Sequence, residues 1–219
     1  MCILNDQIMG HVNTLIKRYP QLALIKESIV SAYLVMEECY KHDGKLLIAG
    51  NGGSAADSEH IVGELMKKFT VNRCINPQLE KKLVEIDSVR GNALAQKLEC
   101  ALMAISLTNH DALSTAYAND VDGLMVFAQQ LFGYGRMGDV FLAISTSGNS
   151  PNILYAAVLA KALGINIIGL TGESGGELAY LADVAVKIPA SETYMVQELH
   201  VPVYHCWCMM LEERFFNKN

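Results

Sequence analysis

The stretch Lys45–Asp57, KLLIAGNGGSAAD, joins an unbroken apolar run to a glycine-rich turn, and it decides the class of fold. Short apolar runs without alternation are typical of parallel strands that are buried on both faces. Glycines at the end of such a strand let the backbone turn tightly and approach a ligand, and a helix begins after them. The stretch therefore predicts a strand, a ligand-binding turn and a helix, in that order.

Four more apolar runs follow, and segments of helical length separate them. They cover residues 101–107, 140–145, 166–170 and 184–188. Strands that alternate with helices along the chain imply right-handed crossovers and a parallel sheet between helical layers. The pattern predicts a layered α/β fold.

Three segments lie outside this alternation. Residues 1–43 predict an N-terminal helical extension of two helices, broken near Pro20. Residues 193–215 predict a last long helix, interrupted or kinked at Pro202. Residues 75–100 are charged, and they are too long for an ordinary connection in an α/β unit, so we interpret them as a helical insertion that serves as a lid or an intersubunit element. No linker or repeat divides the chain, which predicts a single domain over 1–219.

The composition excludes several classes of protein. Hydrophobic residues make up 51% of the chain, which is enough for one extensive core and too much for a disordered protein. The net charge of −6 argues against nucleic-acid binding through a basic face. No apolar stretch is long enough to cross a membrane and no secretion signal is evident, so we expect a cytoplasmic protein without a membrane partner. The six cysteines form no CxxC motif and are expected to be reduced core thiols.

The first glycine-rich turn allows a second interpretation. Its pattern Gly50-x-Gly52-x-x-Ala55 matches a relaxed dinucleotide-binding fingerprint. That fingerprint requires an acidic residue at the end of the second strand, where residues 106–109 read SLTN. We therefore expect no nucleotide cofactor; a plain glycine-rich turn remains the alternative to a ligand site.

A second candidate site follows the third apolar run. Residues 145–150, STSGNS, place four hydroxyl groups in six positions, directly before Pro151 at the expected start of a helix. One hydroxyl is enough to cap a helix. The remaining hydroxyls, at a helix N-terminus and at the carboxyl edge of the sheet, favour the binding of a phosphate group.

Three motifs occur together in the chain: residues 50–57 with His60 and Glu64, residues 145–150, and residues 197–200 with His205. In this order they resemble the phosphoheptose isomerases, which are sugar isomerase (SIS) domain proteins. The resemblance extends from about residue 10 to 214, apart from the insertion. It implies a three-layer αβα sandwich with a five-stranded parallel sheet of the flavodoxin-like type, and a homotetramer with active sites between subunits. It also implies conversion of sedoheptulose 7-phosphate to D-glycero-D-manno-heptose 7-phosphate through an enediol.

The same resemblance implies a role for each matching residue. Glu64 would be the base that moves a proton between C1 and C2, and His205 the acid that serves the oxygens. A zinc ion, one per site, would be bound by His60, Glu64, Gln197 and His205. The phosphate would be held by Ser54, Ser145, Ser147 and Ser150. The rest of the substrate-binding set would be Asn51 and Thr146 along the sugar, Lys68 and Asp120 closing the site, one of them from a neighbouring subunit, and Gly52, Gly53, Asn119 and Gln197.

Elementary chemistry agrees with part of this assignment. Aldose–ketose isomerisation needs one base and one acid, and glutamate and histidine can share that work. His60 and Glu64 are four residues apart, so they lie on one face of a helix, where a plain surface contact is the alternative. Gln197 and His205 are separated by a rise of ~12 Å in an ideal helix. Both could reach one metal ion only if Gln197 precedes the regular helix or if Pro202 bends it.

Two other functions compete with the enzyme. Some SIS relatives have lost catalysis and bind a phosphosugar or a partner such as the replication initiator, with other residues at the base and acid positions. Glu64 and His205 are both present here, which favours the enzyme. Phosphosugar-sensing regulators carry an extra helix-turn-helix domain, for which this length leaves no room. The insertion and residues 191–196 depart from the usual pattern of the isomerases, and either could change which sugar phosphate fits.

Overall fold

The computed structural model describes residues 5–217 and contains a five-stranded parallel sheet with strand order β2-β1-β3-β4-β5. The strands are β1 (Leu46–Ala49), β2 (Ala104–Ser106), β3 (Val140–Ser145), β4 (Asn166–Thr171) and β5 (Val184–Lys187). All four pairings are parallel. The predicted α/β class, the five-stranded parallel sheet and its flavodoxin-like order are confirmed.

Helices cover both faces of the sheet. They are α1 (Asp6–Arg18), α2 (Lys26–Lys41), α3 (Gly53–Met66), α4 (Pro77–Ile86), α5 (Ser88–Lys97), α6 (Asp111–Tyr117), α7 (Val126–Tyr134), α8 (Pro151–Ala162), α9 (Leu178–Leu181) and α10 (Thr193–Phe216). A 3₁₀ segment, Pro20–Ile25, separates α1 from α2, because proline cannot continue the first helix. Two further short turns connect α6 to α7, a π-helical one over Ala118–Asp122 and a 3₁₀ one over Gly123–Met125.

Two apolar layers lie on either side of the sheet. Leu46 and Ile48 of β1 pack into the layer formed with α1, α2, α3 and α10. Leu47 and Ala49 point to the opposite layer, formed with α7 and α8, since successive strand residues face opposite sides. Every residue of β1 is buried, which explains why its sequence shows no alternation.

The last helix corrects one prediction. Helix α10 is continuous from Thr193 to Phe216 with Pro202 inside it, so the predicted interruption is wrong, and the kink, its alternative, stays a prediction. Proline removes one backbone hydrogen bond from a helix at a cost of about 3 kcal/mol. Here the turns around Pro202 are deeply packed, with Val203 and Tyr204 buried, and that packing outweighs the local cost.

The cysteine prediction is correct only in part. Cys39, Cys206 and Cys208 are buried, free thiols, as expected. Cys74 is exposed and Cys100 is half-buried, so these two are not core residues. They lie at the base of the insertion, where no apolar layer covers them. Cys2 lies outside the described residues.

The insertion forms a hairpin of two helices, α4 and α5, which pack on each other. Gly91 is the one buried residue in the two helices, and a Cβ atom there would lie 2.2 Å from the carbonyl oxygen of Leu83. The absence of a side chain at Gly91 therefore lets the helices approach closely. Exposed apolar side chains, among them Ile86 and Val89, lie on the outside of this α4–α5 hairpin.

Within residues 5–217, no helix combines the length and the apolar composition that crossing a membrane requires.

Candidate active site

Two loops meet at the carboxyl edge of the sheet, one after β1 and one after β3. Asn51 and Asn152 exchange two side-chain hydrogen bonds, of 3.0 and 2.9 Å, and so tie the turn after β1 to the start of α8. Gly52 has φ of +55°, a conformation that side chains rarely adopt. A Cβ atom at Gly50 would lie 2.5 Å from the carbonyl oxygen of Ser54. The glycines of this turn are thus required by its backbone, and Ser54 is buried directly beneath it.

The loop after β3 gathers the predicted phosphate-binding hydroxyls. Ser145 Oγ lies 3.0 Å from Ser150 Oγ. Ser147 Oγ accepts a hydrogen bond from the backbone N–H of Asn149 at 3.1 Å. Ser150 occupies the N-cap position of α8 but makes no capping bond with its side chain. Ser145 and Ser150 contact each other, and the side chain of Ser150 does not cap α8, so the N-terminus of this helix and the hydroxyls beside it are available to an anion. Thr146, half-buried, lies between them in the same loop.

A cluster of two imidazoles and one carboxylate, His60, Glu64 and His205, forms between α3 and α10. His60 Nε2 is 3.3 Å from Glu64 Oε1 on the next turn of α3. His205 Nε2 of α10 is 3.5 Å from His60 Nε2, although the two residues are 145 positions apart in the chain. The two rings meet edge to face, with centroids 4.9 Å apart. The structure therefore brings together three of the four predicted metal ligands, which include the predicted base and the predicted acid.

Two further residues, not predicted from the sequence, support His60 at its Nδ1 edge, which faces away from Glu64 and His205. Tyr204 Oη lies 2.9 Å from His60 Nδ1 and donates to Asp57 Oδ1 at 3.3 Å. The Tyr204 hydroxyl thus links the Nδ1 edge of His60 to Asp57, while Nε2 of the same ring faces Glu64 and His205 inside the cluster. Asp57 and Tyr204 adjoin predicted residues in sequence, yet no spacing rule indicates a contact between positions 147 apart.

The surroundings of His205, the predicted acid, favour its uncharged form. Burial lowers the pKa of His205, the neighbouring His60 lowers it further, and Glu64 opposes both. His205 is thus uncharged near neutral pH. Burial raises the pKa of Asp57, while the hydrogen bond from Tyr204 opposes that shift. Burial likewise raises the pKa of Tyr204, so its hydroxyl keeps its proton.

Gln197 contacts the turn after β1. It belongs to the regular part of α10, which begins at Thr193, so the first of the two conditions under which it and His205 could bind one metal ion is not met. Its side chain lies against Gly53, where a Cβ atom would be 2.6 Å from Gln197 Nε2. The described contacts thus place Gln197 with the turn after β1, as a substrate-binding residue would be, and none of them joins it to His205.

The other predicted substrate-binding residues lie at the surface. Lys68 contacts Glu99, through its backbone N–H at 2.9 Å and through Nζ at 3.7 Å. Asn119 donates to Asp120 at 2.9 Å, and both are exposed in the turn after α6. Among the described contacts, none joins Lys68, Asn119 or Asp120 to the side chains of the cluster.

The fit of zinc to these residues is partial. Across residues 5–217, no three histidine, cysteine, aspartate or glutamate side chains are arranged so that they could hold one metal ion. Two pairs nonetheless have suitable spacing, because ligands bound tetrahedrally at about 2.0–2.1 Å are about 3.3 Å apart. His60 lies at 3.3 Å from Glu64 Oε1 and at 3.5 Å from His205 Nε2. The hydrogen bond from Nδ1 of His60 to Tyr204 is also the outer contact that metal-bound imidazoles make. The donor types and two spacings fit zinc, and the described contact of Gln197 is with Gly53.

The parallel sheet and the hydroxyl-rich loop at its carboxyl edge agree with a SIS domain, and the family model of the SIS domain matches residues 12–85 and 85–172. The chain is 34% identical to the phosphoheptose isomerase of Aneurinibacillus thermoaerophilus, over 97% of this chain and 96% of that protein. It is 35% identical to phosphoheptose isomerase 2 of Campylobacter jejuni, over 98% and 96% respectively.

Solved structures agree with these relatives. The structure of phosphoheptose isomerase from Neisseria gonorrhoeae superposes with a TM-score of 0.71 at 30% identity, covering 95% of this chain and 98% of that one. The enzyme from Francisella tularensis gives the same TM-score at 28% identity, covering 95% and 97%. The chain therefore belongs to the phosphoheptose isomerase family of SIS domain proteins, and it is an isomerase.

Proposed function

We propose that the chain interconverts sedoheptulose 7-phosphate and D-glycero-D-manno-heptose 7-phosphate through an enediol, with Glu64 as the base and His205 as the acid. The observation that carries this proposal is the His60–Glu64–His205 cluster, which brings a carboxylate and a neutral imidazole together from two helices. An enediol forms when a base removes the proton next to a carbonyl group and an acid protonates the carbonyl oxygen. The base and the acid act on adjacent atoms, so they must lie close together, and the cluster satisfies this requirement.

The surroundings of His205 suit these roles. In the proposed reaction Glu64 takes the proton from the carbon next to the carbonyl group and returns it to the neighbouring carbon. His205 has a pKa below its ordinary value because it is buried, so it acts as a neutral N–H donor, as imidazoles do in other isomerisations of this type. It gives its proton to the carbonyl oxygen and recovers one from the adjacent hydroxyl group. The balance of protons closes without a redox cofactor.

The seven-carbon substrate is proposed from the resemblance and from the order of the candidate residues along α3. Ser54 lies in the first turn of this helix, after the turn that Asn51 ties to the start of α8. Glu64 lies ten residues further along, a rise of about 15 Å, so a substrate that binds at both ends must be extended. We propose that its phosphate binds Ser54, Ser145, Ser147 and Ser150, that its first two carbons lie at Glu64, and that Asn51, Thr146 and Gln197 contact the sugar.

Zinc is part of the proposal because the donor types and two pair distances suit it. His60, Glu64 and His205 would have to move from the described arrangement, in which no three of these side chains could share one ion, and a bound zinc ion would then supply polarisation of a carbonyl oxygen. Gln197 is the weakest member of the predicted ligand set, because its side chain lies against Gly53. The proton transfers assigned above to Glu64 and His205 are balanced without the ion, and zinc would raise their rate by polarising the carbonyl oxygen.

We also propose a homotetramer with sites between subunits. Lys68, Asn119 and Asp120 are exposed on the chain itself, which supports a role that is completed by a neighbouring copy. The α4–α5 hairpin exposes 83% of Ile86 and 78% of Val89, and exposed apolar side chains of this kind favour burial against another surface. A cytoplasmic location stays a prediction.

The test is an isomerisation assay on sedoheptulose 7-phosphate, in which NMR follows the aldose product. We expect turnover that falls when a chelator is added and returns with zinc. Turnover that a chelator leaves unchanged would remove zinc from the proposal but retain the isomerase. No turnover in any condition, with the phosphosugar still bound, would contradict the enzyme and leave the binding protein as the alternative.

A further inference from the structure

A buried ion pair lies next to the site and has no part in the chemistry proposed above. Arg73 Nε is 2.9 Å from Glu212 Oε1, and neither side chain is exposed. Glu212 also accepts from the backbone N–H groups of Phe69 and Thr70, at 2.8 and 2.7 Å, and from the Thr70 hydroxyl at 2.6 Å. Burial by itself raises the pKa of Glu212, but the hydrogen bonds from Thr70, Phe69 and Arg73 hold it below its ordinary value. The carboxylate is therefore ionised in the folded protein.

Stability alone does not account for such a pair. Removing two ions from water costs several kcal/mol each, and their attraction offsets that cost only when every donor and acceptor is satisfied. An apolar pair of the same volume is often as stable. The role of Arg73 and Glu212 therefore follows from the groups that they hold in place.

One end of the pair holds the backbone of the predicted base. Arg73 Nη1 donates to the carbonyl oxygen of Leu65 at 2.6 Å, and Nη2 donates to that of Glu64 at 3.1 Å. These carbonyl groups belong to the last turn of α3, where no intrahelical donor remains for them. A cation at this end of a helix is also favourable for the helix dipole. Arg73 thus fixes the main chain of Glu64 itself.

The other end of the pair, Glu212, is linked to the predicted acid through Phe69. Glu212 lies seven residues after His205 on α10, which is two turns along the same side of the helix. Phe69, whose N–H it binds, places its ring 5.4 Å from the ring of His205. The pair therefore ties the end of α3 to α10 and holds a phenyl ring against the acid.

We propose that Arg73 and Glu212 are positioning residues, which set the distance between Glu64 on α3 and His205 on α10. The inference rests on the proposed function for the roles of Glu64 and His205, whereas the contacts themselves do not depend on it. A displacement of about 1 Å in an active site can reduce the rate about 100-fold. Loss of a clamp that fixes two helices should therefore lower kcat far more than it changes KM.

The test compares Glu212→Gln and Arg73→Lys with a matched control. We expect kcat for the phosphosugar to fall about 100-fold in Glu212→Gln, with little change in KM because the serine loop is untouched. Arg73→Lys keeps the positive charge but lacks the planar guanidinium group that donates to two carbonyl oxygens at once. We therefore expect its kcat to lie between those of Glu212→Gln and the wild type. The control is Asp139→Asn: Asp139 is a buried carboxylate that accepts from Lys45 and Arg136 at the opposite end of β3. It should lower the melting temperature comparably and leave kcat unchanged.

A second readout needs no turnover. NMR signals of the imidazole rings of His60 and His205, recorded without substrate, should shift in Glu212→Gln and Arg73→Lys and stay in place in Asp139→Asn. A wild type that isomerises no sugar phosphate would contradict the proposed function and leave this comparison intact. The clamp is overturned if Glu212→Gln retains the wild-type kcat, or if its ring signals match the wild type. Should Glu212→Gln fail to fold, Arg73→Lys decides by the same two criteria.

Discussion

Removing one hydroxyl group behind the cluster, by Tyr204→Phe, tests whether His60 must be held in a fixed orientation. Tyr204 is buried and makes two contacts through that hydroxyl, at 2.9 Å to His60 Nδ1 and at 3.3 Å to Asp57 Oδ1. The second contact is long for a bond between two oxygens, so the contact with His60 is the larger loss. Phenylalanine fits the same space, which leaves the packing of α10 against α3 unchanged.

The size of the effect follows from these contacts. Leaving a buried polar group without a partner costs about 1–3 kcal/mol, so the free energy of unfolding should fall within that range. Loss of the outer partner of a metal-binding or catalytic imidazole typically reduces metal affinity or activity by about 10–100-fold. We expect kcat and zinc affinity to fall by that factor, while KM changes little because the phosphate loop is remote.

The assay pairs Tyr204→Phe with Tyr40→Phe. Tyr40 is also buried, and its hydroxyl donates to the carbonyl oxygen of Met103 at 3.1 Å, outside the cluster. Both variants should lose comparable stability in denaturant titrations, and only Tyr204→Phe should lose turnover. Equal kcat values in the two variants, at equal loss of stability, would refute the reasoning.

Three further predictions concern the phosphate loop, a buried histidine and the assembly. Ser147→Ala combined with Ser150→Ala should raise KM at least about tenfold, since each hydrogen bond to a charged group contributes about 1.5–3 kcal/mol; an unchanged KM places the phosphate elsewhere. Burial lowers the pKa of His200 to about 4, so the unfolded chain binds this proton first and the free energy of unfolding falls as the pH drops from about 6.5 to 4, by roughly 3 kcal/mol. Denaturant titrations of His200→Gln should show a weaker dependence over that interval, and an identical slope would contradict the assignment. Mass photometry should show a species near four chains, whereas a monomer active at assay concentration would rule out sites shared between subunits.

The strands were predictable because parallel strands buried on both faces leave a direct signature in the sequence. β3 spans Val140–Ser145, the same residues as its apolar run. β2 is shorter than predicted, Ala104–Ser106 instead of 101–107. It lies at the edge of the sheet, and before it the backbone turns away to α3, where the N–H of Leu102 donates to the carbonyl oxygen of Leu65. An apolar run indicates burial, but it does not show where the ladder of a strand ends.

Contacts within the site were predictable where the spacing of residues along one helix determines them. His60 and Glu64 meet because four residues make one helical turn. Tyr204 and Asp57 escaped prediction because their contact depends on how α10 packs against α3, and no period within either helix encodes that packing. The contact between Gln197 and Gly53 escaped prediction for a similar reason, because it depends on how α10 packs against the start of α3.

The most direct test of the account compares the turnover of sedoheptulose 7-phosphate by the wild type and by Glu64→Gln, with binding of the phosphosugar measured on the same samples. Glutamine keeps the shape of the side chain and removes its ability to accept a proton from carbon. The account predicts an aldose product from the wild type and none from Glu64→Gln, with similar dissociation constants for the two proteins. Wild-type turnover in Glu64→Gln would contradict the assignment of the base, and with it the central claim.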